Sequence, residues 1–153
     1  MGLFDFLARK HRGRTMILVA AMSTLDHAMD MASPFVHERV KRWDLEDPTL
    51  LITLGYLSGY IDAAYQLTKP FKYDEKLVDS LFVTQVAKHL TWVPGVEVYL
   101  AIFKTGHESG IGAMQCDPKF MEGAMAGGND FVNFANDKRM PISLVRLLQE
   151  NPA

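Results

Sequence analysis

A chain of 153 residues, 48% hydrophobic and 22% charged, has the composition of an ordinary globular domain rather than a disordered segment. At this size about 68–70% of the unfolded surface is buried on folding, so a core forms without staples. A net charge of −2 excludes a global attraction to nucleic acid, and the single cysteine, Cys116, excludes an intramolecular disulfide and a multi-cysteine zinc site.

Residues 1–14, MGLFDFLARKHRGR, form a basic and apolar arm. Leu3, Phe4, Phe6 and Leu7 precede five positively chargeable positions, Arg9, Lys10, His11, Arg12 and Arg14. Apolar anchors beside basic residues suit an anionic membrane surface, and equally suit a terminal helix docked on a core. The apolar run 16–22 sits too late, is too short and is followed too soon by Asp26 and Asp30 to read as a secretory signal. Phe6 stands where the myristoylation pattern requires Ser or Thr. Together with the lone cysteine, this points to a cytoplasmic chain.

The first helix is expected over 15–31. Ile17, Leu18, Ala21, Met22, Leu25, Ala28 and Met29 share one face of it, opposite Ser23, Asp26, His27 and Asp30. Ser33-Pro34, Asp47-Pro48 and Asp117-Pro118 each pair a capping side chain with the proline favoured at the first helical position. They predict helices over 34–43, 48–69 and 118–136. Asp74 opens a further helix over 74–92, Pro70 and Pro94 act as stops, and Pro141 opens a last one over 141–150. VEVYLAIFK (96–104) has the β-branched residues of a strand, but no partner strand is evident, so it reads as helix. The expected fold is all-α: one domain over 15–150, a compact bundle of five to seven helices, with the apolar helix 48–69 at its centre.

That central helix contains Gly55 and Gly59, each costing about 1 kcal/mol relative to alanine in a helix interior. Leu50, Leu54, Leu57, Ile61 and Ala64 make one apolar face, and Ile52, Tyr56, Tyr60, Ala63 and Leu67 a second. The remaining stripe is small or polar: Gly55, Ser58, Gly59, Asp62 and Gln66. The uncharged run Thr49–Ile61 is short of the roughly 20 residues of a membrane span. Glycines four apart instead predict a close helix crossing, with Gly123 and Gly127, which repeat the spacing, as the partner groove.

Chemistry is sparse. The loop 104–118 carries three glycines together with His107, Glu108 and Cys116, the candidates for acid–base work or a ligand site. Asp26, His27 and Asp30, with His37 beyond, are a weaker set for a divalent cation, lying opposite the apolar stripe. His89 falls on the apolar side of its helix and reads as a core histidine with its nitrogens satisfied. No cofactor motif occurs. The favoured reading is a non-enzymatic helical protein acting through a protein partner or through itself, as a homodimer. The alternatives are an enzyme or small-ligand binder built on 104–118, and peripheral membrane association through 1–14.

Overall fold

The computed structural model describes residues 3–68, 74–104 and 114–151, with side chains from Gly13 onwards except at 103–104. The described residues form an all-α bundle of six helices: α1 (Leu3–Arg39), α2 (Pro48–Thr68), α3 (Glu75–His89), α4 (Val96–Lys104), α5 (Pro118–Asp137) and α6 (Ser143–Glu150). Among the described residues there is no strand, and no helix is long and apolar enough to cross a membrane. The ambiguous segment 96–104 is helical.

Three helix starts are set by side chains. Asp47 accepts the backbone N–H groups of Thr49 and Leu50 at 2.9 and 3.2 Å. Asp74 accepts that of Lys76 at 3.0 Å, and Asp117 that of Lys119 at 2.8 Å. Each satisfies donors that the first helical turn leaves unpaired.

Two elements differ from the sequence reading. Residues 15–31 and 34–43 are not separate helices, and the arm is not structurally set apart at residue 14. One helix of 37 residues runs through both, with Pro34 inside it. Ala21, Leu25, Ala28, Ala32, Val36 and Val40 form one uninterrupted buried stripe across the proline, which rewards continuing the helix. Pro34 and Asp30 are both exposed, so the carbonyl that loses its partner to the proline lies where water serves it. The last helix begins at Ser143, not at Pro141. Its first turn has no local side-chain cap; the carboxylate of Asp130, reaching across from α5, accepts the Ser143 N–H at 2.9 Å and its hydroxyl at 2.6 Å.

Helix α2 is the axis of the bundle, contacting α1, α3, α5 and α6. Leu50, Ile52, Leu54, Tyr56, Leu57, Tyr60, Ile61 and Ala64 are fully buried along it. Its closest neighbour is α5. A Cβ placed on Gly55 would lie 2.0 Å from the Phe120 carbonyl oxygen, and one on Gly59 2.0 Å from that of Ala124. From the other side, a Cβ on Gly123 would lie 2.1 Å from the Ile52 oxygen, and one on Gly127 2.2 Å from that of Tyr56. No real Cβ fits at such distances. The contacts climb both helices together, so α2 and α5 run parallel, backbone on backbone. In each position the glycine hydrogen points at a carbonyl oxygen, a Cα–H···O contact of about 0.5–1 kcal/mol. The four glycines therefore face one another inside the protein and offer no surface for self-association.

One polar cluster closes the far end of this crossing. The Tyr56 hydroxyl donates to Asp130 at 2.7 Å, so the buried carboxylate joins α2, α5 and the start of α6. Burial and the charge of Asp130 raise the Tyr56 pKa far above the ordinary phenol range, which keeps the hydroxyl protonated as a donor. At the other end of α6, the Arg39 guanidinium donates to the Leu148 and Asn151 carbonyls at 2.5 and 2.9 Å, a cation at a helix C-terminus.

These contacts give two stability predictions, both read by urea unfolding at neutral pH. Gly59→Ala and Gly59→Leu are expected to destabilise the protein by about 2–3 kcal/mol or more, despite the gain in helix propensity, because backbone must separate. Gly128→Ala is expected to stabilise it by about 0.5–1 kcal/mol, since there the new Cβ meets nothing closer than the Gly59 oxygen at 3.7 Å. Equal effects at the two sites would refute the crossing. Asp130→Ala should cost about 3 kcal/mol by stranding the buried Tyr56 hydroxyl, and Tyr56→Phe about 1 kcal/mol.

Candidate binding cleft

His107 and Glu108 lie outside the described residues. Cys116 is exposed, directly before the α5 cap. Asp26, His27 and Asp30 do not converge, and no group of three potential metal ligands exists among the described residues. His27 and Asp30 are exposed. Asp26 is not the solvated carboxylate that its place opposite the apolar stripe suggests. It is bonded to Lys88 and, at 2.8 Å, to Nε2 of His89, both on α3. The reason is tertiary: the last turn of α3 brings Lys88 and His89 against Asp26, while His27 and Asp30 stay exposed. His89, whose side chain is 11% exposed, thus has one ring nitrogen satisfied. Beside it, His37 stacks on Trp92 with ring centroids 3.7 Å apart. The recess there, about 30 Å³, has room for little more than a water molecule.

Two larger depressions remain. One, of about 580 Å³, lies where α1 ends and α2 begins. Three of its charged groups are engaged in the fold: Asp47 caps α2, Arg39 caps α6, and Lys119 donates to the Asn151 side chain at 2.7 Å. The other, of about 400 Å³, is an open cleft between α2, α3 and the start of α5. Its size falls within the range of ligand pockets, about 300–1,000 Å³.

Each wall of this cleft follows from a local pattern. From α2 come Ser58, Gly59, Asp62 and Gln66, the continuation of the small and polar stripe beyond the α5 crossing, with Ile61 beneath. Gln66 donates to Asp62 at 2.8 Å, one turn apart. From α3 come Val78 and Phe82, an i,i+4 apolar pair, and Glu75 and Asp79, an i,i+4 acidic pair. The two acids sit in the first and second turns, where the helix dipole favours negative charge. From α5 and the residues before it come Gln115, Phe120, Met121 and Ala124. The floor is apolar and the rim carries three carboxylates. Among the described residues, neither lysine nor arginine lines it.

The rim is electrostatically loaded. Burial, and then the charge of Glu75, raise the Asp79 carboxyl above the usual carboxylate range. Its influence extends to Tyr99, whose phenol is raised first by burial and then by the Asp79 charge. Outside the cleft, Asp26 shows the opposite balance. Burial pushes it up, but hydrogen bonds from Lys88 and His89, and their charges, hold it below the usual range.

Sequence reading singled out Gly59 and Asp62 but missed Glu75, Asp79 and Asp130. The signal for the first two is a like-charged i,i+4 pair next to an i,i+4 apolar pair. For Asp130 it is a carboxylate one turn after Gly127 on the buried face of α5. Comparison of the chain with protein-family models, with curated proteins and with solved structures finds no match in any of the three.

The two carboxylates have opposite linkage to folding. The folded pKa of Asp26 is depressed, so its contribution is complete above the usual carboxylate range and is lost as pH falls through the folded value. The folded pKa of Asp79 is raised, so its contribution is present at low pH and is lost as pH rises through the folded value. Asp26→Asn should therefore lower stability at neutral pH and flatten the loss of stability in acid. Asp79→Asn should raise stability at neutral pH. Urea unfolding across the acid range separates them; the same sign of change for both at neutral pH would refute the assignment.

Proposed function

We propose that this chain is a non-enzymatic binding protein whose cleft between α2, α3 and α5 takes a basic, amphipathic segment of a protein partner. The composition of the cleft carries this reading. Val78, Met121 and Ala124 offer apolar contact over the buried Ile61, Phe82 and Phe120, and Asp62, Glu75 and Asp79 border it with negative charge. Apolar side chains of a bound segment displace water from the floor, while its Lys and Arg side chains reach the rim. Relief of the repulsion between Glu75 and Asp79 adds to the attraction for a cation. Met121, 51% exposed at the edge, and Met125, 68% exposed one turn on, extend the surface with flexible side chains that adapt to a partner's shape. The same carboxylates repel nucleic acid and other anions.

The test uses labelled helical peptides with one apolar pattern and either basic or acidic polar faces. Fluorescence anisotropy should show binding of the basic peptide only. The Asp62→Asn, Glu75→Gln, Asp79→Asn triple variant should weaken it by about tenfold, and added salt should weaken it further. Equal binding of both peptides, or an unchanged affinity in the triple variant, would refute the reading.

A further inference from the structure

The chain itself contains a segment of the chemistry this cleft selects. Residues 1–14 hold four Lys or Arg against one Asp, a charge of +3, so the remaining chain carries −5 of the total of −2. The apolar residues Leu3, Phe4, Phe6 and Leu7 lie directly before the basic run.

The path of α1 decides which cleft that segment can reach. Its first fully buried residue among those described is Ala21, yet the helix begins at Leu3. Eighteen helical residues precede Ala21, a rod of about 27 Å. On its described part Met16, Ile17 and Val19 are 71%, 51% and 65% exposed. Near Thr24, α1 lies beside Tyr60, and Arg39 lies by Thr49 and Ile52, so α1 runs antiparallel to α2. It leaves the bundle at the carboxyl end of α2, where Asp62 and Gln66 line the cleft. A continuous helix does not turn back onto its own bundle.

We propose that the cleft is occupied by the basic amino-terminal turns of α1 from a second copy of this chain, exchanged reciprocally about a two-fold axis. This rests on the binding reading above and names its partner. Reciprocal exchange closes the assembly at two copies, because each protomer gives one arm and receives one. It brings +3 arms to acidic bodies and covers Met16, Ile17 and Val19, an apolar stretch that a monomer leaves in water. The cationic arm in the cleft also offsets the like charges of Glu75 and Asp79.

Light scattering on the full chain over a concentration series, at low and high salt, is the test. The expected result is a monomer–dimer equilibrium whose dissociation constant rises with salt. The arm variant Arg9→Glu, Lys10→Glu, Arg12→Glu and the cleft variant Asp62→Lys, Asp79→Lys should each be monomeric. Their equimolar mixture should associate as a one-to-one complex, because the normal basic arm of the cleft variant then meets an acidic cleft and the reversed arm meets a basic one; a mixture that stays monomeric overturns the exchange. One chain carrying both sets of changes should regain the dimer. Circular dichroism confirms that each variant is folded, and Asp79→Asn alone provides a milder cleft variant that should weaken the dimer without abolishing it. A dimer unchanged in the cleft variant overturns the proposal. A strict monomer whose cleft still binds the basic peptide overturns the second copy as occupant and leaves the binding reading standing, whereas a monomer that binds no peptide overturns both. A monomer that pellets with anionic vesicles, and loses this in the arm variant, assigns the arm to membrane and overturns the exchange.

Discussion

The bundle is organised by the contact between the backbones of α2 and α5. Four glycines, Gly55, Gly59, Gly123 and Gly127, each meet a carbonyl oxygen of the opposite helix where any side chain would collide. Two parallel helices held this closely leave no freedom to slide or rotate, since a shift of one residue puts a Cβ against backbone. The cost of four glycines in helix interiors is offset by the contacts that only glycine allows. The other helices are placed from this pair: α1 and α3 pack on α2, α6 against both α2 and α5, and α4 on α3.

Because α2 and α5 are fixed, the polar groups around them are placed without play. The Asp130 carboxylate serves at once as acceptor for the Tyr56 hydroxyl and as cap for α6, a combination that works only if three helices hold register. Arg39 closes the far end of α6, and Asp26 ties α1 to α3. These charges are consumed by structure. The acids of the cleft rim differ in their neighbours: Glu75 and Asp79 stand one turn apart as like charges, and Asp62 accepts from Gln66.

The cleft is a consequence of the same geometry. The small-residue stripe of α2 is met by α5 at Gly55 and Gly59; beside this contact, Ser58, Asp62 and Gln66 line the gap between α2 and α3. The groove has an apolar floor and an acidic rim, on a body of net charge −5 with a +3 arm. The proposed binding there would draw on desolvation and charge complementarity.

The helices were largely legible in the sequence, because capping pairs and apolar periodicity act over a few residues and bear on each segment alone. Asp47-Pro48 and Asp117-Pro118 start helices for a local reason, and α2 is apolar on two faces whatever surrounds it. Gly55 and Gly59 announced a close approach, since nothing else justifies two glycines in a helix interior. What escaped was decided between segments. Pro34 starts no helix because the buried stripe from Ala21 to Val40 outweighs one lost hydrogen bond on an exposed face. Asp26 is paired rather than solvated because α3 covers it, and Ser143 is capped by a residue 13 positions earlier. Local patterning determined which residues form helices and which faces are apolar. Only the tertiary structure decided which charges meet and which face an open cleft, because those contacts depend on how the helices cross and not on the order of residues along any one of them.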